Sequence, residues 1–80
     1  MSSNRLKVPE EIPEDEIVLI TAVLRDSGSQ VKAGEPIVEI ETSKTSYQID
    51  AEKSGILQHQ LKIGDEVRSG DTLGEILIEG

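Results

Sequence analysis

Short apolar runs, broken by glycine, proline or charged residues, recur along the whole chain. Leu6 and Val8 alternate with polar neighbours and stop at Pro9. Proline cannot donate to a ladder, so Arg5–Val8 is expected to be a short edge strand. Ile17–Leu24 is almost continuously apolar and rich in β-branched residues. It reads as a buried strand. Helix is the competing reading, and the dense β-branching and flanking loops weigh against it. Ile37–Glu41, Ser46–Glu52, Ile56–Leu61 and Thr72–Glu79 read as further strands, with Pro36 opening the first of them. Val31 is an isolated core contact between turns at Gly28 and Gly34. Lys53-Ser54-Gly55, Gly64 and Gly70 mark later turns. No helix is expected. Many short strands with frequent glycine turns indicate an all-β sandwich or barrel.

The second half of the chain repeats the first at an offset of 36, from Gly28 to Gly64. Gly34 then meets Gly70, Ile37 meets Leu73, Glu39 meets Glu75 and Ile40 meets Ile76. Further back, Ile20 meets Ile56. Two copies are too few for a solenoid. They predict two similar half-sheets related by an approximate two-fold axis around one small core. Residues 16–42 are expected to superpose on residues 52–78, with Val31 and Val67 in equivalent buried positions.

Between the copies lies Glu41-Thr42-Ser43-Lys44-Thr45-Ser46. Strand-like runs on both sides make it the turn of a hairpin. It lacks the Asn-Gly, Asp-Gly or Gly-X pairs of two-residue hairpins. A type I turn accepts Ser43 and Lys44 at its centre without positive φ. The tip therefore displays one primary amine, on Lys44, framed by Glu41, Thr42, Ser43 and Thr45. A lysine on a hairpin tip is most often a solubilising charge. Its place midway between the copies sets Lys44 apart from Lys7, Lys32, Lys53 and Lys62.

Composition narrows the chemistry. Eighty residues make one domain, residues 1–80, with an ordered core over about 5–79. There is no cysteine, hence no disulfide and no thiolate metal site, which fits a reducing compartment. Tyr47 is the one aromatic residue, so the core is aliphatic and too slight for a deep substrate pocket. A net charge of −8 argues against nucleic acid or an anionic membrane as partner. No apolar run approaches a membrane span, and Met1–Arg5 is no signal peptide, so a cytoplasmic or organelle-matrix location is the default. Glu10–Glu16 is an acidic loop around Pro13, and its spacing does not match an EF-hand. His59, flanked by Gln58 and Gln60, is expected to be an exposed strand residue. With one histidine, no cysteine and no G-x-S-x-G, a resident catalytic triad has no support. Phosphate-binding glycine motifs are also absent. The chain is read as a non-enzyme.

The residues around Lys44, with Gly28 sixteen positions before it and Gly55 eleven after, resemble a lipoyl domain of the biotinyl/lipoyl carrier family. Leu6-Lys7-Val8-Pro9 resembles the opening strand of such domains, and the likeness runs from about Leu6 to Ile78. Lipoyl domains usually carry Asp-Lys-Ala where this chain has Ser43-Lys44-Thr45, and biotinyl domains usually carry Met-Lys-Met. The resemblance implies a flattened barrel-sandwich hybrid of two antiparallel four-stranded sheets. It implies lipoate joined covalently to Lys44, a swinging arm carrying acyl groups. The group would be acylated at a 2-oxo acid decarboxylase/dehydrogenase, pass its load at an acyltransferase and be reoxidised at a dihydrolipoyl dehydrogenase. A lipoate ligase or lipoyl transferase would attach it, and the domain itself would be monomeric. The acidic loop would lie near the lysine turn and help partners tell domains apart. Two alternatives stay open: a biotinyl carrier, and an unmodified lipoyl-like module serving assembly or protein contact.

Overall fold

Alternation along short strands leaves each with one apolar face, and two sheets laid face to face bury both. The computed structural model describes residues 2–78. Eight strands and no helix occur among them: β1 Ser2–Lys7, β2 Val18–Val23, β3 Gln30–Val31, β4 Pro36–Glu41, β5 Ser46–Asp50, β6 Gly55–His59, β7 Glu66–Val67 and β8 Thr72–Ile78. They form two four-stranded antiparallel sheets, ordered β1-β8-β6-β3 and β5-β4-β2-β7. Exchanging β1 with β5, β8 with β4, β6 with β2 and β3 with β7 converts one order into the other. This is the expected two-fold relation.

Backbone hydrogen bonds repeat with it. Gly34 N–H donates to Ala51 O at 2.7 Å, and Gly70 N–H to Val8 O at 3.1 Å. Gly28 N–H donates to Leu57 O at 2.7 Å, and Gly64 N–H to Ile20 O at 2.8 Å. All four glycines have φ between 80° and 96°, a region that strains residues with a Cβ. One expected match needs correction. Ile20 corresponds to Leu57, not Ile56, since each accepts from the equivalent glycine. The pairing of β2 with β4 slips between Ile20 and Ala22, so Thr21 is an extra, bulged residue. Ile20 and Leu57 are both fully buried, whereas Ile56 is half-buried.

Two further bulges are themselves related by the two-fold. Ile37 is the extra residue of β4, between Pro36 and Val38, and Leu73 the extra residue of β8, opposite Leu6 and Lys7. The extra residue lets neighbours share a face, so both Ile37 and Val38 are buried. Leu6, Val8, Ile20, Ile40, Ile49, Leu57 and Ile76 complete most of the aliphatic core. Ile12, inside the loop read as merely acidic, also inserts into it.

β2 is buried on one face only, contrary to expectation. Val18 and Ile20 point inward, while Ile17 and Leu19 stay 51% and 43% exposed. An antiparallel sheet of a two-layer domain has one solvent face, whatever side chains occupy it. Val67 is half-buried where Val31 is fully buried. β1 begins at Ser2, ahead of the expected Arg5, because Ser2, Ser3 and Asn4 pair with Ile78, Leu77 and Ile76. The expected end of the last strand, Glu79, lies outside the described residues. Gly55 opens β6 opposite Val31 and does not serve as a turn. A Cβ there would run into the Leu77 carbonyl oxygen of the neighbouring strand.

Under the two-fold, the Glu41–Ser46 pair that closes the β4–β5 hairpin corresponds to the Leu77–Ser3 pair. The lysine turn and the Ser2–Ile78 end of the other sheet therefore occupy equivalent positions in the two sheets.

Candidate functional site

The β4–β5 hairpin narrows to the Glu41–Ser46 pair and turns through the four residues between them. Thr42 N–H donates to Thr45 O at 2.8 Å. The Thr42 hydroxyl oxygen accepts from Lys44 N–H at 3.2 Å and from Thr45 N–H at 3.1 Å. Its own proton reaches Thr45 O at 3.2 Å. A threonine side chain thus does the work of a turn carbonyl, and two backbone donors at the tip are satisfied locally. Thr42 is 8% exposed, the one buried polar side chain among the described residues. Among the described residues none other than glycine has positive φ, in line with a turn that needs no left-handed position.

Ser43 and Lys44 form the exposed tip, as expected. Thr45 Oγ1 donates to the carbonyl of Ser46 at 3.4 Å, and Glu41 is the last residue of β4. Ser43 Oγ donates to Glu16 Oε1 at 3.1 Å. Glu16 is held in turn, because its N–H donates to Pro13 O at 3.0 Å. Arg68 Nη1 reaches Glu14 O at 3.4 Å and ties the same loop to the end of β7. The acidic loop therefore does lie against the lysine turn. Among the described residues the ion pairs are Arg25–Glu35 and Arg68–Glu66, and Lys44 belongs to neither. Its amine faces solvent on a backbone fixed by Thr42 below and Glu16 beside it.

Sequence reasoning missed a groove next to this turn. Ile17, Leu19 and Thr21 form one side, and Glu41, Thr42 and Ser43 the other, around a volume of about 380 Å³. Its signal was present: Ile17, Leu19 and Thr21 fall on alternate positions, out of phase with the buried Val18 and Ile20.

His59 needs a correction too. It is half-buried, and backbone groups engage both ring nitrogens. Leu61 N–H donates to Nδ1 at 3.1 Å, which assigns the proton to Nε2, 2.8 Å from Arg25 O. The ring is a strut between the end of β6 and the β2–β3 loop. Neither nitrogen is free to serve a nucleophile. Among the described residues no group of three or more His, Asp or Glu side chains is placed to hold a metal ion.

The site is thus an exposed amine on a turn whose backbone donors are satisfied by Thr42. The family model Biotin_lipoyl, described as "Biotin-requiring enzyme", matches residues 4–76. The chain belongs to this biotin/lipoyl family. It is 39% identical over 72 residues to the dihydrolipoyllysine-residue succinyltransferase component of the 2-oxoglutarate dehydrogenase complex of Bacillus subtilis. That match covers 89% of this chain and 17% of the relative. It is 31% identical over 62 residues to the dihydrolipoyllysine-residue acetyltransferase component of the pyruvate dehydrogenase complex of Pseudomonas aeruginosa, across 76% of this chain and 11% of that protein. The chain thus spans less than a fifth of these relatives. The solution structure of the lipoyl domain of the Azotobacter vinelandii 2-oxoglutarate dehydrogenase complex superposes with a TM-score of 0.68 at 34% identity. It covers 91% of this chain and 90% of that domain. Kluyveromyces lactis urea carboxylase contains a segment that superposes with a TM-score of 0.77 at 26% identity, covering 96% of this chain and 6% of the enzyme.

Proposed function

We propose that this chain is a lipoyl carrier domain, with lipoate amide-linked to Nζ of Lys44, serving a 2-oxo acid dehydrogenase type complex. The observation that carries the reading is the exposed Lys44 on a turn whose backbone is immobilised by Thr42. Acylating an amine requires its neutral form, so an attaching enzyme must enclose the group and take its proton. A protruding turn fits such an active site, and a braced one arrives with the amine already placed. The likeness to a lipoyl domain over nearly its whole length supports lipoate as the group. Ser43 and Thr45 in the places of the usual flanking methionines argue against biotin. The group supplies disulfide redox and acyl-transfer chemistry. The chain supplies attachment, and the tether raises effective concentration at each active site the arm visits. The partners that follow are a lipoate ligase or lipoyl transferase, and the decarboxylase/dehydrogenase, acyltransferase and dihydrolipoyl dehydrogenase of such a complex.

The test is incubation with lipoate ligase, ATP and lipoate, followed by peptide mass mapping. Lys44 is expected to be the sole modified site, and Lys44→Arg to abolish modification. An adduct on Lys7, Lys32, Lys53 or Lys62 would remove the basis of the reading. If wild type resists several unrelated ligases while Ser43→Asp/Thr45→Ala is modified, the unmodified module is favoured. Parallel incubation with biotin and a biotin ligase tests the remaining rival.

A further inference from the structure

The outer face of the β5-β4-β2-β7 sheet is polar over most of its area. Glu39 and Glu41 of β4 and Ser46, Gln48 and Asp50 of β5 lie on it, between inward-facing neighbours. Ile17 and Leu19 break that pattern, and they do so beside the lysine turn. The groove they line is about 380 Å³, near the small end of the range for small-molecule sites. A second hollow follows the turn itself and is lined by Glu41, Thr42, Ser43, Lys44, Thr45 and Ser46. Glu41, Thr42 and Ser43 wall both. An apolar chain leaving Lys44 therefore meets aliphatic surface as soon as it passes Ser43.

We propose that the groove between Ile17, Leu19 and the Glu41–Ser43 wall is a resting site for the dithiolane arm borne by Lys44. The inference rests on the lipoyl reading of that lysine. The ring and its methylene chain are apolar and uncharged, as the two exposed side chains require. A standard protein–protein contact buries about 800 Å² per partner, far more than this one pair of side chains offers. A short acyl chain is small enough to be covered. Weak affinity suffices, because the arm is tethered one residue from the wall. A short tether gives an effective concentration on the order of millimolar, so a groove of millimolar affinity holds the arm about half the time. The arm then alternates between groove and solvent, protected when idle and released to a partner that offers tighter contacts.

The experiment begins with the domain lipoylated by ligase, ATP and lipoate, with intact mass and peptide mapping confirming the adduct on Lys44. Carbon-13 methyl spectra of unmodified and lipoylated protein are compared. Ile17 and Leu19 methyls are expected to shift, while Leu24 and Ile63, exposed elsewhere, stay in place. Dithiothreitol is then expected to reduce the ring about two-fold faster in Ile17→Ser/Leu19→Ser than in wild type, the factor that half-occupancy gives. Thermal melts check that these surface changes leave the fold intact. Unmoved Ile17 and Leu19 methyls together with equal reduction rates, on protein carrying the adduct, overturn the resting site alone. Methyl shifts that grow with protein concentration in the unmodified domain would assign the groove to a second copy and overturn it as well. Failure to form any adduct at Lys44 overturns the lipoyl reading, and this inference with it.

Discussion

At the scale of single residues, Thr42 carries more of the site than its place in the sequence implies. Its hydroxyl serves two backbone donors and one backbone acceptor in the turn. Thr42→Val keeps the shape and removes those partners, and the residue is nearly inaccessible to water. Unpaired donors there should cost about 1–3 kcal/mol. Urea unfolding is expected to show that loss, and lipoylation of Lys44 to slow with it, while Thr42→Ser retains most of both. Glu35 makes a second residue-scale prediction. Its carboxylate accepts Lys32 N–H at 3.0 Å and pairs with Arg25. The backbone bond from Lys32, followed by Arg25, holds its pKa below the ordinary 4.5. A depressed folded-state pKa stabilises the protein above the unfolded value, and that contribution is lost as pH falls through the folded value. Stability should therefore decline below pH 4.5, and Glu35→Gln should decline less steeply over the same window. The effect is small, because an exposed pair is screened by water. Midpoints of urea unfolding between pH 3 and 6 check it, about the acidic range where carboxylates titrate.

At the scale of elements, the glycines divide into two kinds that look alike in sequence. Gly28 has φ of 92° and open space around it, so Gly28→Ala costs backbone strain of about 1–2 kcal/mol and stays local. Gly55 lies flat against β8, where an added Cβ meets the Leu77 carbonyl oxygen and the Ile76 side chain. Gly55→Ala should push β6 from β8 and cost more than Gly28→Ala. Amide shifts should be confined to the loop in Gly28→Ala and should spread through β6 and β8 in Gly55→Ala. The hairpin and the two-fold could be read from spacing alone, because alternation and glycine turns are carried by the sequence, whereas the strand order came only with the structure. The extra residue at Thr21 could not be read from spacing either. A bulge shows only in the pairing with β4, so a constant offset carried Ile20 to the wrong partner. Leu19 was misjudged for a related reason: an apolar run does not say which of its faces another layer will cover.

At the scale of the molecule, a body measuring 39 × 20 × 19 Å, stability and display rest on different residues. Ile40 and Ile76 are fully buried and related by the two-fold. Ile40→Ala or Ile76→Ala should each cost about 2–5 kcal/mol, since a core of short aliphatic strands collapses poorly onto a cavity. A small domain has on the order of 5–15 kcal/mol in all, so each variant should melt far below wild type. Lys44→Ala removes an exposed tip residue and should shift stability by no more than about 0.5 kcal/mol. Differential scanning calorimetry of the three variants separates a displayed lysine from a structural one. A severe loss in Lys44→Ala would place the lysine in the fold and remove it from display.

The sequence by itself determined the strand-rich class, the duplication and the lysine midway between its copies. These depend on residue type and on spacing of a few positions, which a chain carries whether folded or not. Tertiary structure alone decided what stands beside the lysine. Glu16 meets Ser43 across 27 positions of sequence, and Ile17 and Leu19 face the turn only because β2 pairs with β4 in one register. That register is set by burial of Val18 and Ile20 against the other sheet, a long-range hydrophobic choice that a local pattern cannot make. The side chains left on the opposite face then line whatever the hairpin brings to them.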